Sequence, residues 1–518
     1  MTIKLLDCTL RDGGYVNAFS FSVDTVKAVI KNLVAAGVDY IECGFLKNVK
    51  QTTETTVFLS ADDLKDFVPE NKKKSKLFVM IVFGTFDIEK LPPRKDVCFD
   101  GIRVTFKKKE ISEALSYLKK IRELGYIVSA NPTGIHSYSD MELLKLLEQV
   151  NDLQPDIFSI VDTLGVMNAT DLLKKFYLVE NNLNEGTIIG FHSHNNLQLS
   201  FSNSQELIGL HSNRDIIIDS CVMGMGRGAG NLNTELMISH LNENYDAEYD
   251  LLPILKIADE HISKIFARTP WGYNLPYFLA ASVKCHPNYA SYLIDKQTIS
   301  VEAINAILLR IPDDRKSAYD EELIKRLYLD YQENAVDDEA VINALKTQID
   351  ARPVLIVSPG KSLNEKHNEI INFIITKKPF VIATNFRPDK IKADKVFISN
   401  AKRFAEQKDL SDVIVTSNIK TDVSTLNYAS YLNNSEMYDN SVLMLLAVLM
   451  KLGIREVYAA GLDGFANNDN YADPQMINNA KLGEFDKRNQ IMRQMIKRFD
   501  KQIHVHFITP SLYEENDA

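Results

Sequence analysis

Short β-rich runs recur along the first half of the chain, and most intervals between them carry apolar residues at a helical period. The runs are IKLLDCTL (3–10), VDYIECGF (38–45), KLFVMIVF (76–83), GIRVTF (101–106), YIVSAN (126–131), DIFSIVDT (156–163), TIIGFHSH (187–194) and DIIIDSCVMG (215–224). Between them SVDTVKAVIKNLVAAG (22–37), ISEALSYLKKIRELG (111–125) and NATDLLKKFYLVENN (168–182) read as helices, with Ser or Asp near the starts and Gly just past the ends. The interval 84–100 carries the weakest helical pattern. Eight strands alternating with helices over residues 1–245 predict a (β/α)8 TIM barrel. A doubly wound open sheet is the alternative, but such a sheet rarely needs eight evenly spaced units.

Residues 246–350 read as a helical extension and connector, ending in the acidic stretch LDYQENAVDDEAVINALKTQID (329–350). A second α/β pattern opens at RPVLIVSPGKSLNE (352–365), where a buried strand enters a Gly/Ser turn and then a helix. PFVIATN (379–385), KVFIS (395–399), DVIVTS (412–417), REVYAAGLD (455–463) and HVHFIT (504–509) continue it. Residues 351–518 therefore predict a Rossmann-like α/β domain.

Length and composition narrow the class. A chain of 518 residues is too long for one core. Its 45% hydrophobic and 25% charged content is that of a soluble globular protein. The net charge of −10 argues against nucleic acid as a partner, and the basic runs NKKKSK (71–76) and KKK (107–109) read as solvated helix ends. Cys8, Cys43, Cys98, Cys221 and Cys285 form no CxxC pair, so reduced thiols in a cytoplasm are expected. No leader peptide is expected before the first strand. The longest apolar run, VLMLLAVLM (442–450), is too short to span a bilayer and reads as a buried helix.

Candidate chemistry gathers at one end of the predicted barrel, the carboxyl ends of its strands, where such folds hold their active sites. The first strand ends in Arg11 and Asp12 before a double glycine, LLDCTLRDGGY. The seventh ends in GFHSHNN, and residues two apart on a strand face the same way, so His192 and His194 can point at one ion. The eighth runs into MGMGRGAGNLNTE, which brings Asn231 to the end of a glycine-rich turn. A carboxylate, two imidazoles and an amide oxygen suit an octahedral divalent cation such as Mn²⁺ or Mg²⁺. Zinc would more usually recruit a thiol or a third histidine. Each piece has a plainer reading: two unrelated polar histidines, a structural Arg–Asp pair, a phosphate-cradling turn. Their convergence on strands one, seven and eight favours the metal.

DCTLRDGG, FHSHNN and GRGAGN together resemble the metal-dependent barrel lyases and synthases related to hydroxymethylglutaryl-CoA lyase, isopropylmalate synthase and 4-hydroxy-2-oxovalerate aldolase, over about residues 3–245. The resemblance implies that Asp12, His192 and His194 ligate the metal, with Asn231 as a fourth ligand. It implies that Arg11 steadies an enolate oxygen. The expected cofactor is Mn or Mg, with Co and Zn as alternatives, and the expected substrates are a 2-oxo acid and an aldehyde. The loop MGRGAGN lacks the cysteine of the lyase branch and the glutamate of the acyl-CoA synthases, and is more similar to the pyruvate aldolases. Those aldolases carry a histidine three residues after the metal aspartate, where this chain has Tyr15. Tyr15 either relays a proton or shapes the pocket. In VDTLG (161–165) Asp162 and Thr163 either reach substrate or cap a helix.

The C-terminal segment resembles bacterial sialyltransferase-like proteins of surface-glycan synthesis. The turn through Gly360 to Ser362, Asn385 at a strand end, Asn400 after VFIS, YDNS opening an apolar helix, Asp463 in GLD and Tyr471 occur in that family's order. The resemblance implies that these residues bind a cytidine nucleotide or nucleotide-sugar. No histidine follows Asp463 in the place of that family's base, so nucleotide-sugar binding is expected rather than transfer. The expected whole is a bifunctional homo-oligomeric enzyme of sugar or polysaccharide biosynthesis. Its rivals are an acyl-CoA-dependent 2-oxo acid synthase on the same barrel and a catalytically silent scaffold.

Overall fold

The computed structural model describes residues 1–210, 212–466, 470–473, 476 and 482–514. Its contacts divide the chain into two compact units, Met1–Asn288 with Pro312–Tyr319, and Tyr289–Ile311 with the chain from Asp320 onward.

The first unit is built on a closed parallel barrel. Its strands are β1 (Ile3–Asp7), β2 (Tyr40–Leu46), a two-residue β3 (Val57–Phe58), β4 (Lys76–Val82), β5 (Gly101–Phe106), β6 (Ile127–Pro132), β7 (Ile157–Asp162), β8 (Ile188–Ser193) and β9 (Ile216–Ser220). Neighbours run β1-β9-β8-β7-β6-β5-β4-β2, and β1 pairs with β2 to close the ring. In that closure Leu6 faces Tyr40, while on the other edge β1 runs in register with β9 from Ile3↔Ile216 to Asp7↔Ser220. The eight runs seen in the sequence are the eight barrel strands; β3 adds only a short pairing outside β2.

Helix Val23–Ala36 illustrates why the outer layer forms. The Ser22 hydroxyl accepts from the Thr25 amide at 3.1 Å, satisfying a donor at the helix start. Gly37 closes it at φ 80°, the left-handed conformation glycine adopts without strain. Val26, Val29, Ile30 and Leu33 repeat on one face and are buried. The interval 84–100 holds only the short 3-10 turns Ile88–Lys90 and Arg94–Asp96. Pro92 and Pro93 between them remove two amide donors and prevent a continuous helix.

The stretch 246–350 divides between the units. Leu251–Ile257, Ser263–Arg268 and Leu275–Ser282 belong with the barrel, whereas Val301–Leu308, Glu321–Gln332 and Glu339–Ile349 belong with the second unit. The reason is core membership: Ile342, Leu345 and Ile349 pack in one cluster with Val354 and Ile356 of the second sheet.

That sheet is parallel throughout: β10 (Val354–Val357), β11 (Phe380–Thr384), β12 (Lys395–Ile398), β13 (Val413–Thr416), β14 (Ser424–Leu426), β15 (Glu456–Ala460) and β16 (His504–Phe507). Its order, β14-β13-β12-β11-β10-β15-β16, runs outward from β10 and then returns to β10's other side. It is a Rossmann-like α/β fold whose switch point lies between β10 and β15, the place where such sheets bind ligands. The apolar run at 442–450 lies within the buried helix Ser441–Lys451, capped by Asn440, whose side chain accepts from the Val442 amide at 3.1 Å. Among the described residues no helix is long and apolar enough to cross a membrane.

Candidate functional site

The end of β1 turns sharply. The amides of Arg11 and Asp12 both donate to the Cys8 carbonyl, at 3.1 and 2.8 Å, so the two side chains leave a turn rather than a strand. Asp12 then meets the end of β8. One ligand atom each from Asp12, His192 and His194 lie within 4.8 Å of one another, and all three residues are buried. His192 Nε2 is 3.4 Å from Asp12 Oδ2, and the two imidazoles stand nearly perpendicular, 5.2 Å apart. The loop after β9 delivers the fourth residue: Asn231 Nδ2 donates to Asp12 Oδ1 at 3.3 Å and to the Met225 carbonyl at 2.9 Å. Gly230, at φ 88°, makes this approach: a Cβ there would lie 2.1 Å from the Gly224 carbonyl oxygen.

Two atoms of this group are orphaned. His194 Nδ1 and Asn231 Oδ1 are buried without a hydrogen-bond partner. Buried polar atoms without partners are rare and call for an explanation such as an ion. The donor set of a carboxylate, two imidazoles and an amide oxygen fits a divalent cation.

Around the group runs a ring of buried charge that the sequence reading missed. Arg11 Nε donates to Glu42 Oε2 at 2.6 Å, and its Nη1 to Asp12. Arg103 Nη1 donates to the same Glu42 oxygen at 3.2 Å, and its Nη2 to Asp219 Oδ2 at 2.5 Å. Asp219 Oδ2 is also 3.0 Å from His192 Nδ1, completing a carboxylate–histidine pair of the kind that orients a metal ligand. Glu42, Arg103 and Asp219 come from the middle or end of β2, β5 and β9. Their signal was visible as charges interrupting apolar strand runs, which is costly unless paired.

The charges set one another's ionisation. Burial opposes the charged forms of Arg11, Asp12 and Asp219. Glu42 and Asp12 nevertheless raise Arg11, Arg11 and the histidines lower Asp12, and Arg103 lowers Asp219. Burial pushes His194 down to about 3, leaving it a neutral imidazole.

Tyr15 stands at the rim, edge-on to Phe19 at 5.0 Å, with the Arg227 guanidinium 4.6 Å over its ring. Burial of its hydroxyl end raises its pKa, which Arg227 only partly opposes, although the residue as a whole is 39% exposed. Asp162 is engaged within its own loop, accepting from the Val166 and Met167 amides at 3.0 Å each. Thr163 accepts from the Gly134 amide at 2.9 Å. Both side chains tie down rim loops.

The second unit has a cavity of about 720 Å³ at the switch point, and Gly360, Asn385, Asn400, Asp463 and Tyr471 all line it. The turn after β10 differs from the expected phosphate cradle. Ser362 donates its amide to Asp463 Oδ2 at 2.8 Å and its hydroxyl to Asp463 Oδ1, so a carboxylate of the chain already holds the turn's donors. Gly360 sits tight against that carboxylate: a Cβ would lie 2.5 Å from Asp463 Oδ2. Asn385, at φ 57°, accepts from the Ser399 amide at 3.0 Å. Asn400 caps the next helix through the Lys402 amide at 2.9 Å.

Comparison with known proteins bears on the barrel. The family described as HMGL-like matches residues 2–65 and 102–260. A 4-hydroxy-2-oxovalerate aldolase of Bacillus cereus is 24% identical over 266 residues, 51% of this chain and 76% of that protein. An oxaloacetate decarboxylase of Mycobacterium tuberculosis is 25% identical over 279 residues, 52% of this chain and 79% of that protein. Among solved structures, the N-terminal domain of a provisionally assigned aldolase from Bacteroides vulgatus is 27% identical, with a TM-score of 0.49, over 58% of this chain and 98% of that one.

Proposed function

We propose that this barrel, which belongs to the TIM-barrel lyase and aldolase superfamily, is a divalent-metal-dependent aldolase or lyase. It makes or breaks a carbon–carbon bond beside the carbonyl of a pyruvate-type 2-oxo acid. The observation that carries the reading is the buried Asp12–His192–His194 group with its orphaned His194 and Asn231 atoms, set beside a buried arginine.

Asp12, His192, His194 and the Asn231 amide oxygen would hold the ion, Mn²⁺ or Mg²⁺ by preference. When bound, such an ion polarises the carbonyl of a chelated 2-oxo acid. The chain's own residues do the rest. Arg11 is anchored through Nε and Nη1 by Glu42 and Asp12, which leaves Nη2 to donate where enolate charge develops. A fixed cation there stabilises the transition state more than the ground state. Asp219 keeps the His192 ring oriented through Nδ1. Tyr15, its pKa raised, keeps its Oη proton and can give it to the alkoxide formed when an aldehyde is the electrophile.

We further propose that the second unit binds a cytidine nucleotide-linked sugar, making the chain a two-part enzyme of sugar or surface-glycan metabolism. The support is the cavity at the sheet's switch point with Asn385, Asn400 and Tyr471 in its wall.

The barrel reading is tested by exchange of pyruvate methyl protons with deuterated solvent, followed by NMR in the presence of Mn²⁺ or Mg²⁺. Arg11→Ala is expected to slow exchange about 100- to 1,000-fold, more than it weakens pyruvate binding. His194→Ala, which sacrifices no hydrogen bond of Nδ1, is expected to lose the bound ion by elemental analysis. Metal-loaded protein that exchanges no 2-oxo acid would leave the barrel a non-catalytic scaffold.

A further inference from the structure

The cavity of the second unit is bounded by more than a Rossmann sheet. Tyr292, Lys296, Thr298 and Lys325 come from the segments before β10 and also line it, the Thr298 carbonyl accepting from the Ala401 amide just past β12 at 3.1 Å. Lys296 stands against three tyrosine rings, 3.9 Å from the centroid of Tyr438, 5.1 Å from Tyr292 and 5.7 Å from Tyr328. Such stacking is favourable, but it leaves an ammonium's three donors without acceptors.

The carboxylates lining this cavity are largely committed elsewhere. Asp439 accepts from the Tyr328 hydroxyl at 2.6 Å, Glu436 pairs with Lys487 at 2.5 Å, Glu406 with Arg403 at 3.1 Å, and Asp463 is held by Ser362. The ammonium groups of three lysines of the wall, Lys296, Lys325 and Lys402, have no hydrogen bond or ion pair to an acceptor among the described residues. The formal charges of the lining balance, six cations against six carboxylates, so what sets these three lysines apart is that their ammoniums lack a bonded acceptor. Burial also lowers the Lys296 pKa, which the nearby Asp439 only partly opposes and Lys325 reinforces, the response of a cation held out of water among like charges.

We propose that this cavity is a site for an anionic ligand, a phosphate ester or carboxylate. Its charged group is held by Lys296 with Lys325 and Lys402, while the glycine turn, filled by Asp463, gives shape rather than charge. The proposal deepens the nucleotide-sugar reading of the same cavity, but the anion site does not depend on the base being cytosine. Lys296 and Lys325 share the Tyr438 ring, at 3.9 and 5.9 Å from its centroid, Asn400 stands beside them through its 2.9 Å bond to the Gln297 carbonyl, and the tyrosines leave an apolar and hydroxyl-lined wall for the rest of the ligand.

Calorimetry on the full chain tests it with three probes: cytidine 5′-monophosphate, cytidine and inorganic pyrophosphate. Loss of one charge-assisted contact corresponds to about tenfold or more in affinity. Lys296→Gln is expected to weaken pyrophosphate and the nucleotide alike by about that factor, Lys296→Arg to retain most of the affinity, and both wild-type affinities to fall with added salt. Cytidine binding should not respond to Lys296→Gln. Pyrophosphate that fails to bind at millimolar concentration, or binds Lys296→Gln and Lys402→Gln as it binds wild type, overturns the anion site. If instead cytidine 5′-monophosphate gains nothing over pyrophosphate while Lys296→Gln weakens both, the anion site stands and the cytidine reading falls.

Discussion

Asp219 touches no expected metal-ion position, yet it accepts both from Arg103 Nη2 and at His192 Nδ1. Its carboxylate couples a structural ion pair to the orientation of a candidate ligand. Replacing a carboxylate behind a ligating histidine typically costs 10- to 100-fold in metal affinity or activity, roughly. Asp219→Asn should therefore lower metal affinity by about that factor while Asp12, His192 and His194 remain in place. Metal titration with circular dichroism as a control for folding measures it. Affinity equal to wild type would show that the Asp219 contact orients nothing. At this scale the sequence was half legible. His192 and His194 announced themselves by spacing, whereas Glu42, Arg103 and Asp219 lay in three separate strand runs and became a network only on closure of the barrel.

At the scale of elements, helix Glu339–Ile349 matters more than its connector-like sequence suggested. It contributes Ile342, Leu345 and Ile349 to the second core. Each buried Leu or Ile removed from a core costs about 2–5 kcal/mol, and a whole domain is stable by only about 5–15 kcal/mol. A fragment beginning at Pro353 should therefore fail to melt cooperatively, whereas one beginning at Tyr289 should do so. Thermal melts by circular dichroism compare them, and equal melting temperatures would demote the helix to a linker. The acidic composition of 329–350 pointed to a connector because charge marks exposure. Its apolar residues recur at helical spacing, and that periodicity was the better guide.

Among the described residues the main hydrophobic clusters of the two units share no residue, and each unit carries one proposed ligand site. A ligand that binds only the folded state stabilises it by about 2.7 kcal/mol at a hundredfold excess over its dissociation constant. For units of this size that corresponds to a shift of roughly 5–10 °C. Scanning calorimetry should show two transitions, one rising with Mn²⁺ and falling with chelator, the other rising with pyrophosphate. Movement of both transitions with the metal, or of neither, would contradict the assignment of the ion to the barrel.

By itself the sequence determined the eight barrel strands and placed Arg11 and Asp12 just past the first and His192 and His194 at the end of the seventh, because each rests on local information: period, turn residues and two-residue spacing on a strand. It also determined the parallel character of the second sheet, whose short apolar runs alternate with helices. Tertiary structure alone decided which charges neutralise which, since Arg103 and Asp219 meet across 116 residues of chain. It alone decided that Asp463, 101 residues from Ser362, fills the turn that looked ready for phosphate. A glycine-rich turn before a helix offers amide donors to any anion, and only the packed structure specifies whether that anion arrives from solution or from the chain itself.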